Sequence, residues 1–361
     1  MSRRVLASGG CRVFWFAFRG PILRMAPPWQ IQDETIATDI PLAGRSMRVE
    51  RAGRSSKDVT LERAFRRSWD VMASFLDFEG TEPAERFTAV FGIAHGALIW
   101  LLGGRRPAAA AMIAGDLLCA ALVLMALPRL RRARPAAVRF LAVALPLLVF
   151  YLFYLQTGLI DASAVHWRDT ALAGLQERVV RRVPFIHSTA VRDWFIFAYF
   201  AYDPFLAAGA LALFVPGNAA SQRNAGDAVR RMCYALACCF VVGLLYPALS
   251  PRYVTPQLQL EYLGHGTLAR FAALSQQSAM VPGNSFPSAH LAATTALMWD
   301  LHAARRAVFW LFLPLVLSMA AGTVLFQYHY VPDVVAGIVV GGAAVALDRW
   351  CRPLTLAPPG P

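Results

Sequence analysis

Eight apolar runs, at roughly 88–104, 108–128, 138–160, 194–215, 232–249, 287–301, 307–327 and 332–348, constrain this chain more than any other feature. A helix needs about 20 apolar residues to cross the hydrocarbon of a bilayer, and most of these runs approach that length. Composition agrees. The 361 residues are 57% hydrophobic and only 16% charged, where a soluble domain carries about a quarter. The expected fold is all-α and polytopic, with about six to eight transmembrane helices. Two runs are weaker than the rest: 88–104 is short and contains His95, and 287–301 is short and opens on polar residues.

The formal charge of +13 comes almost wholly from arginine, since Lys57 is the only lysine. The arginines cluster in the N-terminal region and between apolar runs, as expected where they set topology beside the cytoplasmic leaflet. No nucleic-acid-binding motif accompanies them, so nucleic acid is not an expected partner. With the N-terminus inside, the inner connections "RLRRARPAAVR", "SQRNAGDAVRR", "HAARR" and "DRWCR" hold twelve arginines. The longer outer connections hold nine. That bias, with the Arg-rich N-terminal region, favours a cytoplasmic N-terminus.

Residues 1–86 read as an Arg-rich cytoplasmic region, partly disordered. Its apolar patch "CRVFWFAFRGPIL" is broken by Arg12 and Arg19 and lacks a signal-peptide core, which suits an interfacial helix or a basic tail. Residues 87–350 form the expected transmembrane catalytic domain and 351–361 a short tail. The stretch "DTALAGLQERVVRRV" within 161–192 has the pattern of an amphipathic helix on the outer surface. The six cysteines, Cys11, Cys119, Cys233, Cys238, Cys239 and Cys351, lack zinc-site spacing and read as small packing residues.

Three polar stretches sit at the ends of runs, and the number of runs between them puts all three on one face. They are "LYPALSPRYVTP" with Arg252, "NSFPSAH" with Ser288 and His290, and "GTVLFQYHYVPDVVAG" with His329 and Asp333. Pro332 suits a first helical turn. From that turn Asp333 can reach back to His329, fix its tautomer and raise its basicity. Such an imidazole is a nucleophile towards phosphorus. Pro287 likewise opens a helix, which puts Ser288 and the following N–H groups at a phosphate-favouring positive end. His290 in that turn is placed to protonate a leaving oxygen, and Arg252 offers donors matched to phosphate oxygens. The set supplies nucleophile, orienter, acid and clamp for phosphoryl transfer, with no cofactor and no metal required.

These residues resemble the type 2 phosphatidic acid phosphatase superfamily of membrane lipid phosphatases and phosphotransferases, over roughly residues 190–350. Its motifs are a basic residue followed by Arg-Pro, then Pro-Ser-x-His, then Ser-Arg-x5-His-x3-Asp. "PSAH" matches the second and "HYVPD" the end of the third. The Ser-Arg would fall at Gly322 and Thr323, so the second phosphate arginine is missing, and "SPRY" alters the first motif. Those departures, with "DWFIFAYFAYDPF", resemble the branch that contains inositol phosphorylceramide synthases. The resemblance implies a six-helix catalytic core, a lipid phosphate substrate, a phosphohistidine at His329, and His290 as acid to the leaving alcohol. It leaves open hydrolysis or transfer to an acceptor alcohol. A non-catalytic lipid-binding or lipid-transport protein on the same scaffold is the alternative. Abundant Arg and Ala suggest a GC-rich bacterial genome, and hence an inner-membrane protein whose site faces the periplasm.

Overall fold

A computed structural model describes residues 81–103, 107–157, 169–180, 187–279 and 283–351, all of which fall within one compact unit, Arg63–Pro361. The apolar patch near the N-terminus, most of the expected N-terminal region and the tail from 352 lie outside the described residues. Among the described residues there are thirteen helices: α1 (Pro83–Gly103), α2 (Pro107–Arg131), α3 (Ala136–Thr157), α4 (Asp169–Val180), α5 (Thr189–Phe200), α6 (Tyr202–Phe214), α7 (Ala219–Leu245), α8 (Pro251–Val254), α9 (Pro256–Leu263), α10 (Thr267–Ala279), α11 (Ala289–Ala304), α12 (Arg306–Leu325) and α13 (Val331–Cys351). The chain is an all-α, polytopic membrane protein.

Five helices, α2, α3, α7, α12 and α13, are long and apolar enough to cross a membrane, and the pair α5–α6, bent by 60°, makes a sixth if it is one span. Among the described residues, five or six of the eight expected runs meet that measure of length and hydropathy, against the expected six to eight spans. The 88–104 run belongs to α1, which begins at Pro83 and is diluted by Glu85, Arg86 and His95. The 287–301 run is α11, 16 residues long. At 1.5 Å per residue it reaches about 24 Å, short of the roughly 30 Å hydrocarbon thickness. Its apolar side chains serve the interior instead. Leu291, Ala292, Ala293, Ala296, Leu297 and Leu301 are all buried.

α7 is the central post. Its most apolar window is 67% buried, against 17% for that of α12, and it packs on α1, α3, α6, α11 and α13. The peripheral helices turn Leu117, Leu118, Leu122, Leu148, Trp310 and Leu311 outward, as lipid-facing surfaces do. Against α7 and α11, α13 brings Gly337 and Gly341, four residues apart. A side chain at either would collide with the backbone of Ser288 or Ala292. This small-xxx-small spacing lets two helix backbones approach closely. It seats the first turn of α13 beside the first turn of α11.

At the opposite end, α7, α11 and α13 share a buried ion network. Arg230 Nε donates to Asp348 Oδ1 and Arg231 Nε to Asp348 Oδ2, each at 2.8 Å. Arg230 also pairs with Asp227 at 2.9 Å, and Arg231 with Asp300. Two arginines counted as topology markers of an inner connection are thus internal ties. Removing one partner of such a buried set costs about 3–5 kcal/mol, because a desolvated charge is left behind.

Candidate active site

The ends of α7, α11, α12 and α13 meet at one end of the bundle, and loop geometry aims their polar groups inward. After α7, residues 246–250 run beside 283–288: Ala248 and Asn284 form a parallel bridge, and the Ser285 N–H donates to the Ala248 carbonyl at 3.3 Å. Gly243 on α7 lies against this segment, where a Cβ would meet the Asn284 side chain. Ser288 caps α11, accepting from the Leu291 N–H, while its own N–H donates to the Asp333 carbonyl at 3.0 Å. The same serine expected to bind phosphate is fully buried, so in this structure its hydroxyl serves the cap.

α12 ends in a tight turn at Thr323–His329. The Thr323 carbonyl accepts from both the Tyr328 and His329 N–H groups, at 2.9 and 3.0 Å. Gln327 takes φ 59°, a left-handed conformation that non-glycine residues rarely adopt. Its carbonyl accepts from the Arg252 N–H at 2.9 Å. That bond ties the Arg252 arm to the His329 turn. The Arg252 guanidinium lies over the Tyr253 ring, 4.7 Å from the centroid.

His329 is held from one side. Its Nδ1 lies 3.0 Å from the Ser285 carbonyl oxygen and 3.3 Å from Asp333 Oδ2. Both are acceptors, so the ring carries its proton on Nδ1 and its lone pair on Nε2. Asp333 is itself fixed, since Oδ2 accepts from the Ser285 hydroxyl at 2.6 Å and the Tyr330 N–H at 3.0 Å. The His290 ring centroid lies 5.7 Å from that of His329, packed against Tyr202 at 4.4 Å and Tyr199 at 5.0 Å. Tyr199 in turn stacks on Tyr328 at 4.0 Å. The structure thus brings His290, His329, Asp333 and the Arg252 arm together at one end of the bundle.

Ser285, Asp169 and Gln176 escape sequence reasoning. Ser285 stands in "NSFPSAH" but outside the recognisable "PSAH". The helix expected to lie on the outer surface is α4, and its buried face differs from the expected apolar one. Asp169 and Gln176 share it with Leu172. Asp169 accepts from the Leu249 N–H at 2.9 Å and the Tyr330 hydroxyl at 2.8 Å. Gln176 accepts from the Val331 N–H at 3.0 Å. Burial raises the Asp169 carboxyl above its ordinary range against the pull of its two donors. Burial and the Asp169 carboxylate raise the Tyr330 phenol, so it stays a donor. The available signal is the helical spacing of Asp169, Leu172 and Gln176, which puts two polar groups on one apolar stripe.

Comparison with known proteins adds one finding. Residues 168–347 match the family model of the PAP2 superfamily. No curated protein and no solved structure is significantly similar to the chain. The match begins just before Asp169 and ends just before Asp348, so it takes in α4 and every site residue above. It supports phosphatase-type phosphoryl transfer on lipids as the general activity.

Proposed function

We propose that the chain is a PAP2-type enzyme that moves the phosphoryl group of a lipid phosphate through a phosphohistidine on His329. The observation that carries this reading is the pinning of His329 Nδ1 by the Ser285 carbonyl and Asp333. It leaves Nε2 as a nucleophile with a fixed direction. In the first step Nε2 attacks phosphorus and the bond from phosphorus to the lipid oxygen breaks. His290 gives its proton to that oxygen, which leaves as the alcohol. A bound phosphate ester favours the protonated imidazole this step needs.

In the second step water, or an acceptor alcohol, attacks the phosphohistidine, and His290 takes the proton back. Asp333 stabilises the positive imidazole ring throughout. Arg252 and the N–H groups at the start of α11 face the developing phosphate charge. The absent second arginine, with "HYVPD", supports a site of the inositol phosphorylceramide synthase-like kind. The arginine bias supports a site on the outer face of the membrane, the periplasm in a bacterium.

The test uses purified, reconstituted protein and phosphatidic acid labelled in its phosphate. Free labelled phosphate identifies a phosphatase, and label in a new phospholipid or sphingolipid identifies a transferase. His329→Ala is expected to lower either activity at least about a thousandfold. Turnover that survives His329→Ala would reject the nucleophile. Absence of turnover in the unmutated chain would favour a lipid-binding or transport role.

A further inference from the structure

α4 turns two polar side chains inward, and both are bonded to loops that carry the site. Asp169 Oδ2 accepts from Leu249, three residues before Arg252, while Oδ1 accepts from the hydroxyl of Tyr330, next to His329. The Tyr330 N–H then donates to Asp333 Oδ2, the oxygen that faces His329. One carboxylate therefore touches the arm of the phosphate-binding arginine and stands one residue from the nucleophile. Gln176, two turns along, accepts from Val331 on the same loop. A helix that merely rested on a membrane surface would gain by facing Leu or Val inward. Burying a carboxylate and a carboxamide is unfavourable unless each finds its donors.

We propose that Asp169 is a positioning residue, which sets the spacing between the Arg252 arm and the His329 turn, with Gln176 as a second tie. The proposal rests on the phosphoryl-transfer reading above. The arm follows α7 and the turn follows α12, and the two have to agree in position for one phosphate to meet both. A misplacement of about 1 Å between reacting groups costs on the order of a hundredfold in rate. The Asp169 carboxylate acts beside the Arg252 to Gln327 backbone bond and the bond from Gln259 Nε2 to the Phe326 carbonyl, at 3.1 Å, in holding them in register. Because Tyr330 lies in the chain of bonds from Asp169 to Asp333, its hydroxyl has a use that membrane-interface placement does not require.

The experiment compares unmutated protein with Asp169→Ala, Asp169→Asn, Tyr330→Phe and the Asp169→Ala/Tyr330→Phe double variant. Turnover of labelled phosphatidic acid is read beside hydrogen exchange of segments 247–254 and 326–331. Asp169→Ala is expected to lower kcat about tenfold to a hundredfold, with KM changed by less than about threefold. Exchange should quicken in both segments. Asp169→Asn should stay within about threefold, because its carboxamide oxygen still accepts from Leu249 and the Tyr330 hydroxyl can turn to accept. Tyr330→Phe should quicken exchange in 326–331 only, and should add nothing on top of Asp169→Ala.

Unchanged kcat in Asp169→Ala overturns the proposal, and so does unchanged exchange in the two segments. So does Asp169→Asn as damaged as Asp169→Ala. If the unmutated chain does not turn over lipid phosphates, the functional reading fails separately. The exchange comparison then still decides whether Asp169 ties the two loops.

Discussion

Among the described residues two histidine–carboxylate pairs are buried, and they differ in everything but proximity. In the α1–α2 hairpin, His95 Nδ1 lies 3.6 Å from Asp116 Oδ2. Its ring is packed between Phe91 and Phe153 at 5.7 and 5.3 Å. None of the four polar atoms of that pair has a hydrogen-bond partner among the described residues. At the site end of the bundle, His329 and Asp333 stand at a similar 3.3 Å. There the Ser285 hydroxyl and carbonyl and the Tyr330 N–H fix both groups. A short distance alone does not make a working pair. What distinguishes the second is an outer ring of donors and acceptors that chooses the tautomer and aims the ring.

The sharpest test of that difference removes the charge and keeps the shape. Asp333→Asn should lower kcat for labelled phosphatidic acid roughly a hundredfold, since a carboxamide stabilises a positive imidazole poorly and can present the wrong group to Nδ1. A loss under threefold would put the two pairs on an equal footing. A smaller effect is expected from the ring of supports. Ser285→Ala deletes the 2.6 Å bond to Asp333 but keeps the Ser285 carbonyl, so kcat should fall about tenfold, the worth of one bond to a charged group. The smallest effect belongs to the hairpin. His95→Phe with Asp116→Leu should leave turnover within about twofold, with an unchanged or higher midpoint of thermal unfolding, because replacing both members of an unsatisfied pair removes a desolvation penalty. A large loss of turnover there would mean that the hairpin pair has a share in the chemistry.

Much of this was legible in the residues themselves, and the exceptions have physical causes. The spans follow from apolar run length, and His290, His329, Asp333 and Arg252 from short polar stretches at run ends. The family match adds general support for phosphoryl transfer. α11 is short for a span, and its run reads the same whether the helix faces lipid or other helices, so only the packing shows that it is interior. The 60° bend between α5 and α6 leaves no trace in a run that continues through Ala201. Arg230 and Arg231 read as topology-setting arginines of an inner connection because an arginine near a run end looks the same whether it faces water or Asp348. Asp169 was hidden by distance along the chain. Its partners Leu249 and Tyr330 lie 80 and 161 residues away, too far for any local pattern to pair them.

The ion network at the far end has a consequence for how the protein is made. Arg230 and Arg231 enter the membrane with α7, when Asp227 is the only one of their acidic partners yet synthesised. Asp300 follows 69 residues after Arg231, and Asp348, which binds both arginines, follows 118 residues after Arg230. Until then the two guanidinium groups lack the carboxylate that holds both of them. Closing that network on α13 also brings Asp333 up to His329 at the helix's other end. The ion network and the proposed site are therefore both completed by α13, and a chain without α13 would lose the partner of Arg230 and Arg231 together with that of His329.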